Sequence, residues 1–125
     1  MLVDTDVLIW HLRGNRHAST VLDHATPFSV SAVTVMEILT GIRNSDEMRA
    51  WKAFLKNKVS RTIPIDEQIS AKATFWMEEF VLTHRLRMGD ALIAATADTY
   101  GLSLMTGNVA DYRYLPNLKL KAFKP

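Results

Sequence analysis

Strand-like and helix-like stretches alternate along the whole chain, and this order constrains the fold more than any other feature of the sequence. Short stretches that are typical of strands lie at 1–3, 27–31, 62–65, 102–105 and 118–122. Between these stretches, segments that are typical of helices extend up to residue 12 and over 18–24, 32–42, 45–57, 66–84 and 90–100. Because strands that alternate with helices are joined by crossovers, they form mainly parallel sheets. The sequence therefore predicts one α/β domain over residues 1–125, without a linker or repeat.

The composition excludes several classes of protein. The chain has no cysteine, which rules out a disulfide scaffold and thiolate zinc sites and suits a reducing compartment. No apolar run is long enough to cross a bilayer, and an acid as early as Asp4 leaves no room for a signal peptide. We therefore expect a cytoplasmic protein that does not associate with membranes. The net charge of +2 is too small to indicate a nucleic-acid partner by itself.

Acidic residues follow two of the predicted strands and lie beside two of the predicted helices. Asp4 and Asp6 come after the first strand, and Asp111 follows the strand over 102–105. Asp90 precedes a helix that is apolar on nearly every face, whereas Glu37 lies on the narrow polar stripe of another helix. In a parallel sheet, ligands collect outside the carboxyl ends of the strands. These acids could therefore converge on one pocket for a hard cation such as Mg²⁺ or Mn²⁺.

Each acid also has an ordinary structural interpretation. Asp4, Asp6 or Asp90 could serve as a helix N-cap, and Asp111 could belong to a turn. Glu37 could simply be solvated. Only the joint placement of the acids favours a functional site, because each of them alone is unremarkable.

Four segments carry a family resemblance, and they occur in the order 2–9, 35–41, 86–97 and 105–112. Together they resemble the PIN-domain ribonucleases of the VapC toxin type, over essentially the whole chain. The resemblance implies a three-layer α/β/α fold with about five strands in its sheet. It also implies an endoribonuclease that depends on Mg²⁺ or Mn²⁺, acts as a toxin on RNA, forms a homodimer and is neutralised by a cognate VapB-type antitoxin.

The resemblance assigns roles to particular positions of this sequence. The catalytic and metal-binding acids fall on Asp4, Glu37, Asp90 and Asp111. The supporting residues fall on Thr5, Thr106 and Asn108. The chain departs from the family pattern at two positions, because Asp6 stands where many members have asparagine and Gly107 stands where arginine is frequent.

Basic and apolar side chains outside the acidic pocket provide candidate contacts for RNA and for partner proteins. The candidates for binding RNA phosphates are Arg13, Arg85, Arg87 and Arg113. We expect a basic residue of the antitoxin to enter the acidic pocket, while Trp51 and Leu55 offer apolar surface to the rest of it. Phe75 and Leu82 lie outside the core stripe of the long helix and are candidates for a dimer interface.

Two other functions remain open at the level of the sequence. A strand followed by Asp4-Thr5-Asp6 resembles the nucleophile motif of haloacid-dehalogenase-like phosphatases, with Asp4 as the nucleophile and Asp6 as the general acid. That fold is usually longer than this chain, and it would leave Glu37 without a role. The second alternative is a catalytically silent RNA-binding module with the same fold.

Overall fold

The computed structural model describes residues 1–125 as one α/β domain around a five-stranded parallel sheet. The strands are β1 (Leu2–Val3), β2 (Phe28–Ser31), β3 (Val59–Ile63), β4 (Leu104–Thr106) and β5 (Leu120–Ala122). The helices are α1 (Thr5–Leu12), α2 (Arg16–Ala25), α3 (Ala32–Thr40), α4 (Ser45–Lys58), α5 (Glu67–His84) and α6 (Met88–Thr99), with a 3₁₀ helix over Val109–Asp111. The strand order is β3-β2-β1-β4-β5, and every neighbouring pair is parallel. The predicted fold class is confirmed.

Side chains from the two faces of the sheet enter two separate cores. In β1 and β4, Leu2 and Leu104 contact the core formed with α5 and α6. Their neighbours Val3 and Met105 contact the core formed with α1, α2 and α4. This division follows from the period of two along a strand, which sends successive side chains to opposite faces. The domain therefore has the three layers that the resemblance implies.

The central position of β1 brings two strand ends together. β1 lies between β2 and β4, and the Asp4 N–H donates to the Met105 carbonyl at 2.9 Å. Because the two strands run in the same direction, the residues that follow them leave at one edge of the sheet. That edge is where the acidic side chains lie.

Several element boundaries differ from the prediction, including the starts of α2 (Arg16), α6 (Met88) and β5 (Leu120), and three further differences have a clear physical reason. The third strand covers Val59–Ile63 instead of 62–65, since Pro64 has no N–H to continue the ladder beside β2. The fourth strand begins at Leu104 instead of 102, because the Leu102 N–H closes the end of α6 by donating to the Ala97 carbonyl. The third helix ends at Thr40 instead of 42, with Gly41 at its C-cap.

None of the helices combines the length and apolar character that crossing a membrane requires.

Candidate active site

Asp4 is a buried carboxylate at the junction of β1 and α1. Its side chain is only 5% exposed and accepts three hydrogen bonds, and it also caps α1, as its ordinary structural interpretation predicts. The Thr5 N–H donates to Oδ1 at 2.8 Å, and the hydroxyls of Thr106 and Tyr112 donate to Oδ2 at 2.8 and 2.9 Å. Burial and the nearby Asp6 charge raise the pKa of Asp4 to about 7, although these hydrogen bonds oppose the rise.

Asp90 lies beside Asp4, in the first turn of α6. The N-cap of this helix is Arg87, so the interpretation of Asp90 as a cap is wrong. Asp90 Oδ1 lies 3.2 Å from the Tyr112 hydroxyl, which is its only hydrogen-bond partner. Burial raises the pKa of Asp90, and the charges of Asp111 and Glu37 add to the rise.

Glu37 joins the site through a chain of hydroxyls between α1 and α3. The Thr5 hydroxyl donates to Glu37 Oε1 at 2.7 Å, and it lies 3.0 Å from the hydroxyl of the fully buried Thr34. Gly89, at the start of α6, lets α3 approach, because a Cβ at this position would lie 3.3 Å from Glu37 Oε2. Glu37 is therefore held through one oxygen.

Asp6 and Asp111 complete the acidic group on the side of β4. The Gly107 N–H and Asn108 Nδ2 donate to Asp6 Oδ2 at 2.8 and 3.2 Å. Asp6 Oδ1 is buried and has no partner. Asp111 is exposed in the 3₁₀ helix, and its charge contributes to raising the pKa values of both Asp6 and Asp90. We call the five acids the acidic pocket; its members are Asp4, Asp6, Glu37, Asp90 and Asp111.

No cationic side chain pairs with any member of the acidic pocket. The four ion pairs of the structure are Arg43–Glu47, Arg49–Asp46, Lys58–Asp23 and Lys72–Asp98. The carboxylates are held instead by hydroxyls and N–H groups, which satisfy hydrogen bonds and leave the negative charge uncompensated. Such a cluster attracts a cation.

The arginines predicted to bind RNA are all exposed, but they lie at different places. Arg87 occupies the N-cap position of α6, and its charge lowers the pKa of Asp90. Arg13 follows α1 and lines a groove that reaches Glu37. Arg85 ends α5 in a left-handed conformation with φ 53°, and Arg113 follows the 3₁₀ helix.

The groove has a volume of about 590 Å³ and lies between α1, α3 and α4. Its walls are Ile9, Leu12, Arg13, Glu37, Ile38, Gly41, Ile42, Arg43, Glu47, Ala50 and Trp51. Trp51 is only 2% exposed and stacks on Phe54, so the prediction that it offers exposed docking surface is wrong. Its indole N–H is nevertheless buried without a partner. Leu55 is half-buried against the core and does not line the groove.

Tyr112 and Thr34 also belong to the site, although neither is singled out by the sequence. Tyr112 is 1% exposed, and burial beside Asp4 and Asp90 raises its pKa well above the usual value, so that it keeps its proton. In sequence it is an aromatic residue in an apolar context, which indicates a core position. Thr34 does give a signal, since it lies three residues before Glu37 on the same polar stripe.

The donor chemistry of the pocket fits Mg²⁺ or Mn²⁺, since the free ligands are carboxylate oxygens. Glu37 Oε1 and Asp90 Oδ1 are occupied by hydroxyls, while the second oxygen of each has no hydrogen-bond partner. No three acidic or histidine side chains converge closely enough to form a complete coordination cage. This arrangement suits Mg²⁺, which commonly takes one or two carboxylates and keeps several waters.

The structure thus shows an α/β domain whose acidic side chains gather at the edge of a parallel sheet, where β1 and β4 end. Residues 1–113 match the family model described as PIN domain, and the chain belongs to the PIN-domain family.

Relatives within this family are ribonucleases by name. The chain is 37% identical over 123 residues to Ribonuclease VapC10 of Mycobacterium tuberculosis, and the match covers 95% of this chain and 90% of the relative. It is 30% identical over 123 residues to Ribonuclease VapC19 of the same organism, covering 94% and 96%.

Solved structures share the fold over nearly the whole chain. A toxin–antitoxin complex from Klebsiella pneumoniae is similar at a TM-score of 0.75 and 29% identity, covering 94% of this chain and 93% of that one. DNA-bound VapBC from Salmonella typhimurium is similar in fold at a TM-score of 0.83 and 19% identity, covering 97% and 96%.

Proposed function

We propose that this protein is a divalent-metal-dependent endoribonuclease of the VapC type, which acts as a toxin and is neutralised by an antitoxin. The observation that carries the proposal is the pair of Asp4 and Asp90, two carboxylates joined by one hydroxyl and matched by no cation. The family and its ribonuclease relatives supply the class of substrate.

Asp4 and Asp90 are the two carboxylates proposed to hold the ion directly. Two carboxylates about 5 Å apart repel each other by roughly 3 kcal/mol at an effective dielectric constant of ~20. A Mg²⁺ or Mn²⁺ held by these residues would offset this repulsion and would supply Lewis-acid chemistry for a bound water and for the scissile phosphate. Glu37 and Asp111 are more exposed; they would complete the coordination shell, directly or through water, and one of them would orient the attacking water.

The exposed arginines around the pocket would hold the RNA backbone. Arg87 is the nearest to Asp90 and can reach a phosphate next to the scissile one, while Arg13 lies beside Glu37 along the groove. Arg85 and Arg113 would make more distant contacts. Phosphate contacts fix the position of the strand without reading its sequence, so they leave the choice of RNA to other parts of the surface.

The antitoxin would lie in the groove between α1, α3 and α4. This groove is mainly apolar and reaches Glu37, so it fits an apolar segment of a bound peptide. A basic side chain of that peptide would reach the acidic pocket from the end of the groove. The Klebsiella pneumoniae relative, solved as a toxin–antitoxin complex, supports a partner of this kind.

Neither alternative function accounts for the site as well. A phosphatase with its nucleophile at Asp4 would leave Glu37 without a role, although the Thr5 hydroxyl holds Glu37 Oε1 in the site. The match to the PIN-domain family also opposes the phosphatase. A silent RNA-binding module would have no need for a buried acid pair that lacks a cation.

The test is to map RNA 5′ ends after induction of the wild type, Asp90→Asn and Asp46→Asn. Asp46 is an exposed acid on α4 that pairs with Arg49, so its variant controls for the loss of a carboxylate elsewhere. We expect new 5′ ends with the wild type and Asp46→Asn, and a loss of about 10²-fold or more with Asp90→Asn. Purified protein should cut RNA with Mg²⁺ or Mn²⁺ and stop when EDTA is added. Equal cleavage by a folded Asp90→Asn protein would refute the proposal.

A further inference from the structure

The Tyr112 hydroxyl is the one group that contacts both carboxylates at the centre of the acidic pocket. It lies 2.9 Å from Asp4 Oδ2 and 3.2 Å from Asp90 Oδ1. Asp4 has further donors in Thr5 and Thr106, but Asp90 has no other hydrogen-bond partner. The orientation of Asp90 therefore depends on Tyr112 more than on any other side chain.

The ring of Tyr112 is fixed by the core. Tyr112 is 1% exposed and packs with the side chains of β1, β4, α5 and α6. It also ends the 3₁₀ helix, where its N–H donates to the Val109 carbonyl. A side chain held in this way costs little further entropy when its hydroxyl makes a hydrogen bond. The core therefore sets where the hydroxyl lies, and the hydroxyl sets where Asp90 lies relative to Asp4, which Thr5 and Thr106 also hold.

A hydroxyl has one proton, which it can donate fully to only one acceptor at a time. Between two carboxylates, it links them without neutralising either. It holds Asp90 through Oδ1 and leaves Oδ2 without a protein partner. A phenylalanine at this position would fill the same space in the core but would hold neither acid.

We propose that Tyr112 is a positioning residue of the metal site, whose hydroxyl sets the spacing and orientation of Asp4 and Asp90 for the cation. This proposal rests on the proposed function, because it concerns the same pair of carboxylates. It assigns a role to a residue that the family resemblance leaves without one. Partners that orient metal ligands in this way commonly contribute a factor of about 10 to 100 in metal affinity.

The experiment compares Mn²⁺ binding by the wild type, Tyr112→Phe, Tyr100→Phe and Asp90→Asn, measured by electron paramagnetic resonance of the free ion. Tyr100→Phe is the matched control, because the Tyr100 hydroxyl also donates to a carboxylate, Asp66 Oδ2 at 2.9 Å, at the start of α5. We expect Tyr112→Phe to raise the Kd for Mn²⁺ by about 10-fold or more, with Tyr100→Phe unchanged. The Mg²⁺ concentration for half-maximal RNA cleavage should rise by a similar factor, while kcat at saturating Mg²⁺ changes less. Circular dichroism and thermal unfolding verify the fold, which the change to phenylalanine preserves because it keeps the ring.

The outcomes separate this proposal from the proposed function. If the wild type binds Mn²⁺, Asp90→Asn does not, and Tyr112→Phe binds within twofold of the wild type, then the role of Tyr112 is refuted and the metal site stands. If Asp90→Asn binds Mn²⁺ as tightly as the wild type, or the wild type binds none, then the metal site and the role of Tyr112 are both refuted.

Discussion

Replacing Asp4 by asparagine removes the most deeply buried charge of the site and should stabilise the metal-free protein above neutral pH. Burial raises the pKa of Asp4 in the folded state to about 7 from 3.8. At pH values below 3.8, Asp4 is protonated in both the folded and the unfolded state, so its burial carries no charge and its contribution to folding is most favourable. That contribution is lost as the pH rises towards 7, because the unfolded chain gives up the proton first. In the Asp4→Asn variant, the amide oxygen can still accept from the Thr5 N–H, and the NH₂ group can donate to the oxygens of Thr106 and Tyr112.

The size of the effect follows from the shift in the pKa. A difference of about three pKa units corresponds to about 4 kcal/mol in full, of which roughly 2.5 kcal/mol falls between pH 5 and pH 8. Asp6 and Asp90 also have raised pKa values, so they too reduce the stability of the folded protein as the pH rises. Their contribution is present in both the wild type and Asp4→Asn. The difference between the wild type and Asp4→Asn isolates the share of Asp4. It corresponds to about 10 °C in melting temperature for a domain of this size.

The assay is urea unfolding of both proteins in EDTA at pH 5 and at pH 8. We expect the wild type to lose about 2.5 kcal/mol more than Asp4→Asn between the two pH values, and Asp4→Asn to be the more stable protein at pH 8. Mg²⁺ at 100 times its Kd should restore about 2.7 kcal/mol to the wild type at pH 8, and little to the variant. If the free energy of unfolding changes equally with pH in the two proteins, the raised pKa of Asp4 is refuted. If Mg²⁺ stabilises the two proteins equally, the role of Asp4 as a ligand is refuted.

Three further predictions concern the surroundings of the site and the surfaces for partners. Gly107→Ala should lower the free energy of unfolding in urea by about 1–3 kcal/mol, because a Cβ at this position would lie 2.5 Å from Asp6 Oδ2. The loss should be smaller in an Asp6→Ala background, and an equal loss in both backgrounds would contradict this contact. The protein should be a homodimer by light scattering at tens of micromolar, because α5 exposes Leu82 (93%) and Phe75 (59%). Leu82→Asp should raise the dissociation constant of the dimer about 10-fold or more, whereas Thr83→Asp should not. A monomeric wild type would contradict this interface. Inhibition by the antitoxin should weaken as Mg²⁺ rises and when the basic residues of its tail are changed to alanine, and inhibition that is indifferent to both changes would exclude a basic residue in the pocket.

The architecture of the sheet could be predicted from the sequence because it depends on the order of the elements. Asp4 is expected beside the residues after β4 for the same reason, since the carboxyl ends of neighbouring parallel strands meet. Strand limits depend on finer features. β3 begins at Val59, where the end of α4 runs directly into the strand, and it ends at Ile63 before a proline that cannot pair.

Side-chain roles that depend on three-dimensional register could not be predicted in the same way. Trp51 lies on an apolar helix face, which fits either the core or an interface, and the three-dimensional packing places it in the core. Tyr112 presents the opposite case, because its aromatic ring is a core residue while its hydroxyl belongs to the site. A tyrosine can do both, since the ring is apolar and the hydroxyl is not, and only the three-dimensional arrangement shows which carboxylate the hydroxyl meets.

The choice of neutral donors explains how the acidic pocket can be folded and still be ready for a cation. An arginine paired with Asp4 or Asp90 would satisfy the carboxylates, but it would also cancel their charge and compete with the metal ion. Hydroxyls hold the acids in place at a smaller electrostatic gain, so their hydrogen bonds do not offset burial, which raises the pKa values of both residues. The same charge stays available to any cation that reaches the pocket, whether a metal ion or a basic side chain that enters from the groove beside Glu37. In the proposed function, activity and inhibition would therefore both depend on one feature of the fold, which is that no cationic side chain pairs with the acidic pocket.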